Sequence, residues 1–225
     1  MARLYLFAEG QTEQTFADTL LKPHLAQHQV YMHNPVLVAH AKKKGRVHRG
    51  GGRSYLPIKN DIIRFLKQDK VSDVFFTTMI DLYAIYTDFP GTSEAKSMPT
   101  DPSEKIKFLE EAFAKDIGDP RFIPYLQLHE YEAYLFSDPT CFEYLNPESN
   151  QGVEALTEIA AQYKTPELIN EGQQTAPSKR IINLFPSYGK AKPTFGPQLA
   201  QIVGLPKIRE RCQHFNEWLI KLESL

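Results

Sequence analysis

The sequence predicts an α/β protein: a mostly parallel central sheet flanked by helices, followed by a helical C-terminal portion. Short apolar runs alternate with helix-like patterns through the first 80 residues. Such alternation is typical of parallel strands that are joined by helical crossovers. Beyond residue 140 only helix-like patterns continue. We therefore expect an α/β domain over residues 1–140 and a helical portion over residues 141–225 that packs on it.

The first strand and the turn after it organise the rest of the chain. Residues 4–8 are an apolar run long enough for one strand and too short for a helix. Glu9 and a glycine end this run, and a helix with Phe16 on its inner face follows. Thr12 suits the N-cap of that helix, and Glu13 complements the positive end of its dipole. Glu9 is thereby predicted at the carboxyl end of the central strand, the edge where open α/β sheets bind ligands.

The later patterns divide the chain into further strands and helices. Residues 71–80 are the clearest buried strand, and they end on Asp81. Pro124 interrupts an apolar run at 122–128, which favours an edge strand or a bulge. Other predicted elements are a strand at 36–39, a helix that starts near Ser54 or Tyr55 and includes Leu66, a helix from 103 to about 115, and C-terminal helices at 153–163, 166–170, 178–185, 197–203 and 214–222.

Composition excludes several classes of protein. A hydrophobic content of 42% and an ordinary charge fraction exclude a disordered chain. The formal net charge of −1 excludes a globally basic nucleic-acid binder, although local basic patches remain open. Cys141 and Cys212 have no CxxC spacing, which indicates neither a disulfide framework nor a zinc knuckle. Without a signal-peptide pattern or a membrane-spanning window, we expect a cytoplasmic protein that does not enter a membrane.

Acidic residues stand at the ends of three predicted strands: Glu9, Asp81 and the pair Glu130 and Glu132. Because parallel strands end at the same edge, these carboxylates are expected to converge. Clustered carboxylates repel one another, and a hard divalent cation such as Mg²⁺ or Mn²⁺ neutralises them. Two such ions can stabilise both the attacking and the leaving oxygen of a phosphodiester displacement. The pattern therefore predicts a metal site, with single solvated acids as the alternative.

Several stretches resemble an uncharacterised prokaryotic family of the Toprim clan. The clan includes topoisomerases, primases and overcoming-lysogenization-type nucleases, and members of the family often occur beside ABC-type ATPases. The stretches that carry the resemblance are residues 8–13 (AEGQTE), 51–55 (GGRSY), 79–83 (MIDLY), 88–91 (DFPG), 127–133 (QLHEYEA), 176–181 (APSKRI) and 214–219 (HFNEWL).

The resemblance implies roles for individual acids. Glu9 matches the first Toprim acid, which serves as a metal ligand or general acid/base, and Asp81 matches the first Asp of the Asp-x-Asp motif. Tyr83 stands at the second motif position. A phenol is a poor Mg²⁺ ligand at neutral pH, because its pKa lies near 10. Another acid would then have to supply the missing oxygen, namely Glu130, Glu132 or Asp88.

The spacing of Glu130 and Glu132 leaves two geometries open. On a strand both side chains would point to one face, and on a helix they would diverge. The catalytic set expected from these considerations is Glu9, Asp81 and Glu130. His129 is either a general base or a structural histidine.

Basic residues supply a predicted phosphate-binding region. A segment after the second strand carries Lys42, Lys43, Lys44, Arg46, Arg49 and Arg53, interspersed with glycines. Such a segment is expected to form a flexible loop that contacts phosphodiester oxygens, or a mobile solvated loop with no ligand. Lys179 and Arg180 would extend a positive rim.

Two functions remain open on the sequence. The first is a metal-dependent nuclease that acts on DNA or RNA in prokaryotic phage defence, with an ABC-type ATPase partner that the resemblance implies. The second is a non-catalytic Toprim-like subunit that binds nucleic acid or docks on the ATPase, a reading that Tyr83 favours.

Overall fold

The computed structural model describes residues 1–43, 46–49, 54–82, 87–98, 101–170, 172 and 174–225, with the backbone alone at 39–43 and 46–49. These residues form two compact units. The first comprises Met1–Leu126 together with Leu222–Leu225, and the second comprises Gln127–Lys221. The division therefore follows Leu126, earlier in the chain than the boundary at residue 140 that the sequence predicts.

A mostly parallel sheet forms the centre of the first unit. The strands are β1 (Ala2–Ala8), β2 (Val30–Met32), β3 (Val36–Leu37), β4 (Ala39–Lys43), β5 (Arg46–Arg49), β6 (Val74–Asp81), β7 (Phe122–Ile123) and β8 (Leu126–Gln127). The order in the main sheet is β2-β1-β6-β7, with β3 also beside β1 and β8 beside β6. β1 runs parallel to β2, β3 and β6, and β6 runs parallel to β7. The predicted α/β class is confirmed, and β1 is a central strand as expected.

The strand predictions differ from the structure at several places, among them the start of β6, which is Val74 and not residue 71. β2 was not predicted, since its three residues are too few to show a pattern. The expected strand at 36–39 is divided, because β3 ends at Leu37 and β4 starts a separate antiparallel pair with β5. The basic segment was expected to be a loop, and this is wrong for residues 42, 43 and 46–49, whose backbone forms these two strands. The break at Pro124 separates β7 from β8.

The helices of the first unit are α1 (Gln11–Phe16), α2 (Lys22–Gln27), α3 (Leu56–Gln68), α4 (Thr92–Ala95) and α5 (Pro102–Ile117). A π-helical segment, Ala17–Leu21, connects α1 to α2 just before Pro23. Since proline cannot donate a helical hydrogen bond, a local change of helix type is expected there.

The N-cap of α1 is Gly10, so the prediction of Thr12 is wrong. The Gly10 N–H donates to Glu13 Oε2 at 2.9 Å, which satisfies one of the N–H groups at the helix start. A Cβ at Gly10 would lie 2.9 Å from the same oxygen, so the glycine permits this close approach.

Apolar side chains of β1 and β6 form the core of the first unit. Leu4, Leu6 and Phe76 are fully buried. Tyr5 stacks on His33 with ring centroids 4.1 Å apart, and on Phe76 at 5.4 Å. The mainly apolar sequences of these strands thus reflect a sheet with covered faces.

Helices make up the second unit. Its α-helices are α6 (Asn150–Ala161), α7 (Pro177–Leu184), α8 (Pro186–Lys190), α9 (Lys192–Val203), α10 (Leu205–Arg211) and most of α11 (Gln213–Glu223), with 3₁₀ helices at Tyr131–Ser137, Pro139–Tyr144 and Pro166–Leu168. The predicted helical character of this part of the chain is confirmed. Among all helices of the described residues, none has both the length and the apolar character needed to cross a membrane.

Candidate functional site

Glu9 and Asp81 lie side by side at the carboxyl ends of the two central strands. Glu9 directly follows β1, and its N–H donates to the Met79 carbonyl of β6 at 3.0 Å. Asp81 ends β6, and its backbone N–H donates to Glu9 Oε2 at 2.9 Å. The parallel pairing of β1 with β6 therefore brings together two acids that are far apart in sequence.

Burial disfavours the ionised form of the Glu9 carboxylate. The residue as a whole is partly exposed, yet burial of its carboxylate raises the pKa, against the lowering effect of the Asp81 N–H. Asp81 Oδ1 is also buried. A raised pKa means that this environment solvates a negative charge poorly, and a nearby cation would compensate for that.

Asp88 holds the start of α3. Its carboxylate accepts the Ser54 hydroxyl at 2.7 Å and the Tyr55 backbone N–H at 3.0 Å. Desolvation alone would raise its pKa, but these hydrogen bonds together lower it. Asp88 thus has a local structural role as an acceptor at a helix N-terminus. Its predicted role as a metal ligand stays a prediction.

Glu130 and Glu132 belong to the second unit and have different surroundings. Glu130 has an extended backbone just before the 3₁₀ helix Tyr131–Ser137, and Glu132 lies in its first turn. Neither a strand nor an α-helix sets their spacing. Glu130 Oε2 accepts the Ser178 N–H at 2.9 Å, at the start of α7.

Glu132 is buried in an ion pair. It is 5% exposed, and its Oε1 lies 2.9 Å from Lys192 Nζ and accepts the Tyr188 hydroxyl at 3.2 Å. Burial raises its pKa; Lys192 opposes this rise, and the negative charge of Glu130 adds to it. The two glutamates are therefore close enough to interact electrostatically, although one of them already has a cationic partner.

His129 precedes this pair in an unusual backbone conformation. Its φ is +69°, in the left-handed region that non-glycine residues seldom occupy. Asn170 Nδ2 donates to its Nδ1 at 3.1 Å, which places the ring proton on Nε2. Burial lowers its pKa to about 4, so the ring is neutral at pH 7. A neutral histidine beside two acids suits either of its predicted roles.

The family of the chain follows from its sequence over nearly its whole length. The model of a family described as "Domain of unknown function (DUF4276)" matches residues 8–223. The chain belongs to this family. No functionally curated protein matches it. In structure, the C-terminal region of the Burkholderia pseudomallei OLD protein is similar to this DUF4276 chain, with 16% identity, a TM-score of 0.45 and 99% of each chain covered.

The basic residues of the DUF4276 chain are distributed over both units. Lys42 and Lys43 lie on β4, and Arg46 and Arg49 lie on β5; Lys43 is opposite Arg46. Lys44 and Arg53, like Tyr83, lie outside the described residues. On α7, Lys179 is exposed.

Arg180, next to Lys179, is engaged within the second unit. It donates to the Thr175 carbonyl at 2.7 Å and to the Tyr163 hydroxyl at 3.2 Å. These contacts hold the start of α7, so Arg180 is less available for a phosphate than Lys179. Its predicted phosphate contact stays a prediction.

Sequence reasoning missed the partners of Glu132. Lys192 begins α9, and Tyr188 lies in α8. Both stand about 60 positions after Glu132, so no local pattern connects them with it. The one available signal was the pair Lys190 and Lys192 close to Gly189, which indicates a basic turn and no particular partner.

Proposed function

We propose that this DUF4276 chain is a metal-dependent phosphodiester hydrolase that acts on nucleic acid. One observation carries the proposal: the hydrogen bond from the Asp81 N–H to Glu9 Oε2, 2.9 Å long, which joins two acids at the carboxyl edge of a parallel sheet. Ligands of open α/β sheets bind at this edge. The resemblance of the stretches around both acids to Toprim motifs supports the same reading.

The donor set fits Mg²⁺ or Mn²⁺. Glu9 and Asp81 offer carboxylate oxygens only, which are the ligands that hard divalent cations prefer. Burial raises the pKa of Glu9, so the site favours a bound cation over a bare pair of negative charges. The roles of Asp88, Glu130 and Glu132 as further ligands, and of Glu130 as a catalytic acid, remain predictions from the sequence.

The residues of the chain divide the work of hydrolysis. When bound, a divalent cation would lower the pKa of an attacking water and neutralise charge on the phosphodiester. Glu9 and Asp81 hold that cation, and the Asp81 N–H fixes the orientation of the Glu9 carboxylate. The basic residues of β4 and β5 and Lys179 contact the nucleic-acid backbone without reading its sequence.

A non-catalytic subunit is the second candidate, and a specific observation favours it. Glu132 is neutralised by Lys192 within the protein, and Asp88 serves as acceptor for Ser54 and Tyr55. These acids do not need a metal for charge compensation. In this reading the chain binds nucleic acid or docks on an ABC-type ATPase in phage defence, a context that rests on the family resemblance alone.

A paired measurement on purified protein separates the two candidates. Wild type, Asp81→Asn and the control Asp61→Asn would be titrated with Mg²⁺ and Mn²⁺ by calorimetry and incubated with plasmid DNA and single-stranded RNA. Asp61 is a matched control because its side chain is also shielded, 13% exposed in an ion pair with Arg64. The hydrolase proposal expects metal binding and cleavage in wild type and control, and loss of both in Asp81→Asn.

The other outcomes are equally informative. Nucleic-acid binding without cleavage under any metal would favour the non-catalytic subunit. Cleavage that Asp81→Asn leaves intact would refute the role of this site and point to a contaminating nuclease or to other residues.

A further inference from the structure

Within the first unit, two histidines at α2 lie beside a glutamate at the end of α11. His24 and His28 are four residues apart around α2, so both rings lie on one side of it. Glu223 ends α11. Its Oε1 lies 2.5 Å from His24 Nε2 and 3.8 Å from His28 Nε2. One ligand atom from each residue lies within 4.8 Å of the other two.

The chemistry of this set differs from that of the acidic edge. Two imidazole nitrogens with one carboxylate oxygen are ligands for Zn²⁺ and neighbouring transition metals, while Mg²⁺ prefers oxygen alone. A set of two histidines and one glutamate leaves a fourth tetrahedral position for water. Histidines at i and i+4 on one helix are an arrangement that binds zinc in other proteins.

The distances require only small movements. In a tetrahedral Zn²⁺ site with bonds of about 2.0–2.1 Å, the ligand atoms are separated by about 3.3 Å. The contact of His24 with Glu223, 2.5 Å, is shorter than this, and that of His28, 3.8 Å, is longer. A bound ion would require side-chain rotations that lengthen the first distance and shorten the second. The short contact is a hydrogen bond, and a metal ion would take the place of its proton.

The three side chains are exposed enough for a metal ion to reach them from solvent. The His28 side chain is 41% exposed, His24 is 22% exposed and Glu223 is 13% exposed. Glu223 is therefore largely covered, while the ring of His28 faces water. We propose that His24, His28 and Glu223 bind one Zn²⁺ or a similar transition-metal ion, which fastens the last residues of the chain to α2. This site does not depend on Glu9 or Asp81.

The test uses His28→Gln, because His28 does not make the short bond to Glu223 and its replacement leaves the contact of His24 with Glu223 in place. His33→Gln is the control, since its ring stacks on Tyr5 and faces a different partner. Zn²⁺, Co²⁺ and Mg²⁺ would each be titrated alone into the purified full chain, with calorimetry for Zn²⁺ and visible absorption for Co²⁺.

Wild type and His33→Gln are expected to bind one Zn²⁺ or Co²⁺, with release of protons and with the absorption bands of low-coordinate Co²⁺. The loss of a ligand in His28→Gln should weaken Zn²⁺ binding by at least the roughly 10–100-fold that the loss of an outer-shell partner costs. Mg²⁺ should not compete. Asp81→Asn should bind Zn²⁺ as tightly as wild type, which separates this site from the proposed hydrolase centre.

A second measurement needs no variant. Imidazole nitrogen resonances of wild type, followed by NMR during Zn²⁺ addition, should shift for His24 and His28 and not for His33. Absence of Zn²⁺ binding at micromolar protein concentration, or unchanged affinity in His28→Gln, would overturn the proposal and leave a hydrogen-bonded pair. Shifts confined to other histidines would overturn it as well.

Discussion

Replacing Glu9 by Gln should separate stability from metal binding. Gln has nearly the same shape and keeps an oxygen that can accept the Asp81 N–H, now 2.9 Å from Glu9 Oε2. It removes the charge that burial disfavours. Without divalent metal at pH 8, the free energy of unfolding of Glu9→Gln is therefore expected to equal or exceed that of wild type.

The pH dependence follows from the direction of the Glu9 pKa. Its pKa in the folded protein is raised above the ordinary value of 4.5. A group whose pKa is higher in the folded protein than in the unfolded chain stabilises the folded state at pH values below its pKa in the unfolded chain. This stabilisation disappears as pH rises through its pKa in the folded protein. The advantage of Glu9→Gln over wild type should thus be greater at pH 8 than at pH 5.

Divalent metal should reverse the order. A ligand that binds only the folded state at about 100 times its Kd stabilises that state by about 2.7 kcal/mol. Wild type should gain this amount in Mg²⁺ or Mn²⁺, and Glu9→Gln should gain little, because an amide is a neutral and weaker ligand. Urea unfolding followed by circular dichroism, with and without metal, measures both differences.

Glu110→Gln is the matched control. Glu110 Oε1 also accepts one backbone N–H, that of Leu126, at 2.9 Å. Changing a charged acceptor to a neutral one should cost about 1 kcal/mol there, independent of metal. If Mg²⁺ and Mn²⁺ stabilise neither wild type nor variant, or stabilise Glu9→Gln as much as wild type, the assignment of Glu9 to a metal site is refuted.

Two further predictions concern the second unit. The pKa of His129 is lowered from 6.5 to about 4 in the folded protein, so the stability that comes from its neutral ring is complete above pH 6.5 and is lost as pH falls toward 4. Over that range the free energy of unfolding of wild type, measured with urea, should fall by about 3 kcal/mol more than that of His129→Gln. Equal pH dependence of the two proteins would contradict this. Glu167 is 1% exposed and accepts the N–H groups of His214 and Phe215 at 3.0 and 2.9 Å at the start of α11. Glu167→Ala should therefore lower the free energy of unfolding by about 2–4 kcal/mol in the same assay. The control Glu154→Ala, at an exposed position, should lower it by less than about 0.5 kcal/mol. Equal losses in the two variants would show that the hydrogen bonds of Glu167 contribute little.

The first strand, its turn and the Asp81 strand were predictable from sequence for a physical reason. Residues 4–8 are a continuous apolar run, and residues 74–80 are apolar except for two threonines; such runs arise where a parallel strand is covered on both faces. An acid directly follows the first run and another follows the second. The α/β alternation predicted that both strands end at the same edge of a parallel sheet, and the structure shows that they are neighbours in it.

The rest depended on contacts that local patterns do not show. The β4–β5 pair has mostly charged and polar residues, so no apolar alternation signals its strands. The N-cap of α1 is Gly10 and not Thr12, because the Gly10 N–H donates to the Glu13 side chain. His24 and Glu223 are 199 positions apart, and only the folded chain brings them together.

The pair of Glu132 and Lys192 decides how many acids are available to a metal. Lys192 is about one-third exposed and Glu132 is nearly buried, so the pair lies between a surface pair worth about 0–1 kcal/mol and a buried one whose disruption costs about 3–5 kcal/mol. Lys192→Met should therefore destabilise the protein by about 1–3 kcal/mol at pH 8.

The double variant Glu132→Gln with Lys192→Met tests what the pair does. If Glu132 serves only Lys192 and Tyr188, the double variant should recover most of the stability lost in Lys192→Met, since the uncompensated buried charge is gone. It should also bind Mg²⁺ and Mn²⁺ as wild type does. If stability recovers but calorimetry shows metal affinity reduced by tenfold or more, which is about 1.4 kcal/mol, then Glu132 ligates the metal in spite of its lysine. In that case the ion pair is present only without metal, and the bound cation replaces Lys192 as the partner of Glu132. Lys192 then becomes free to contact a phosphate.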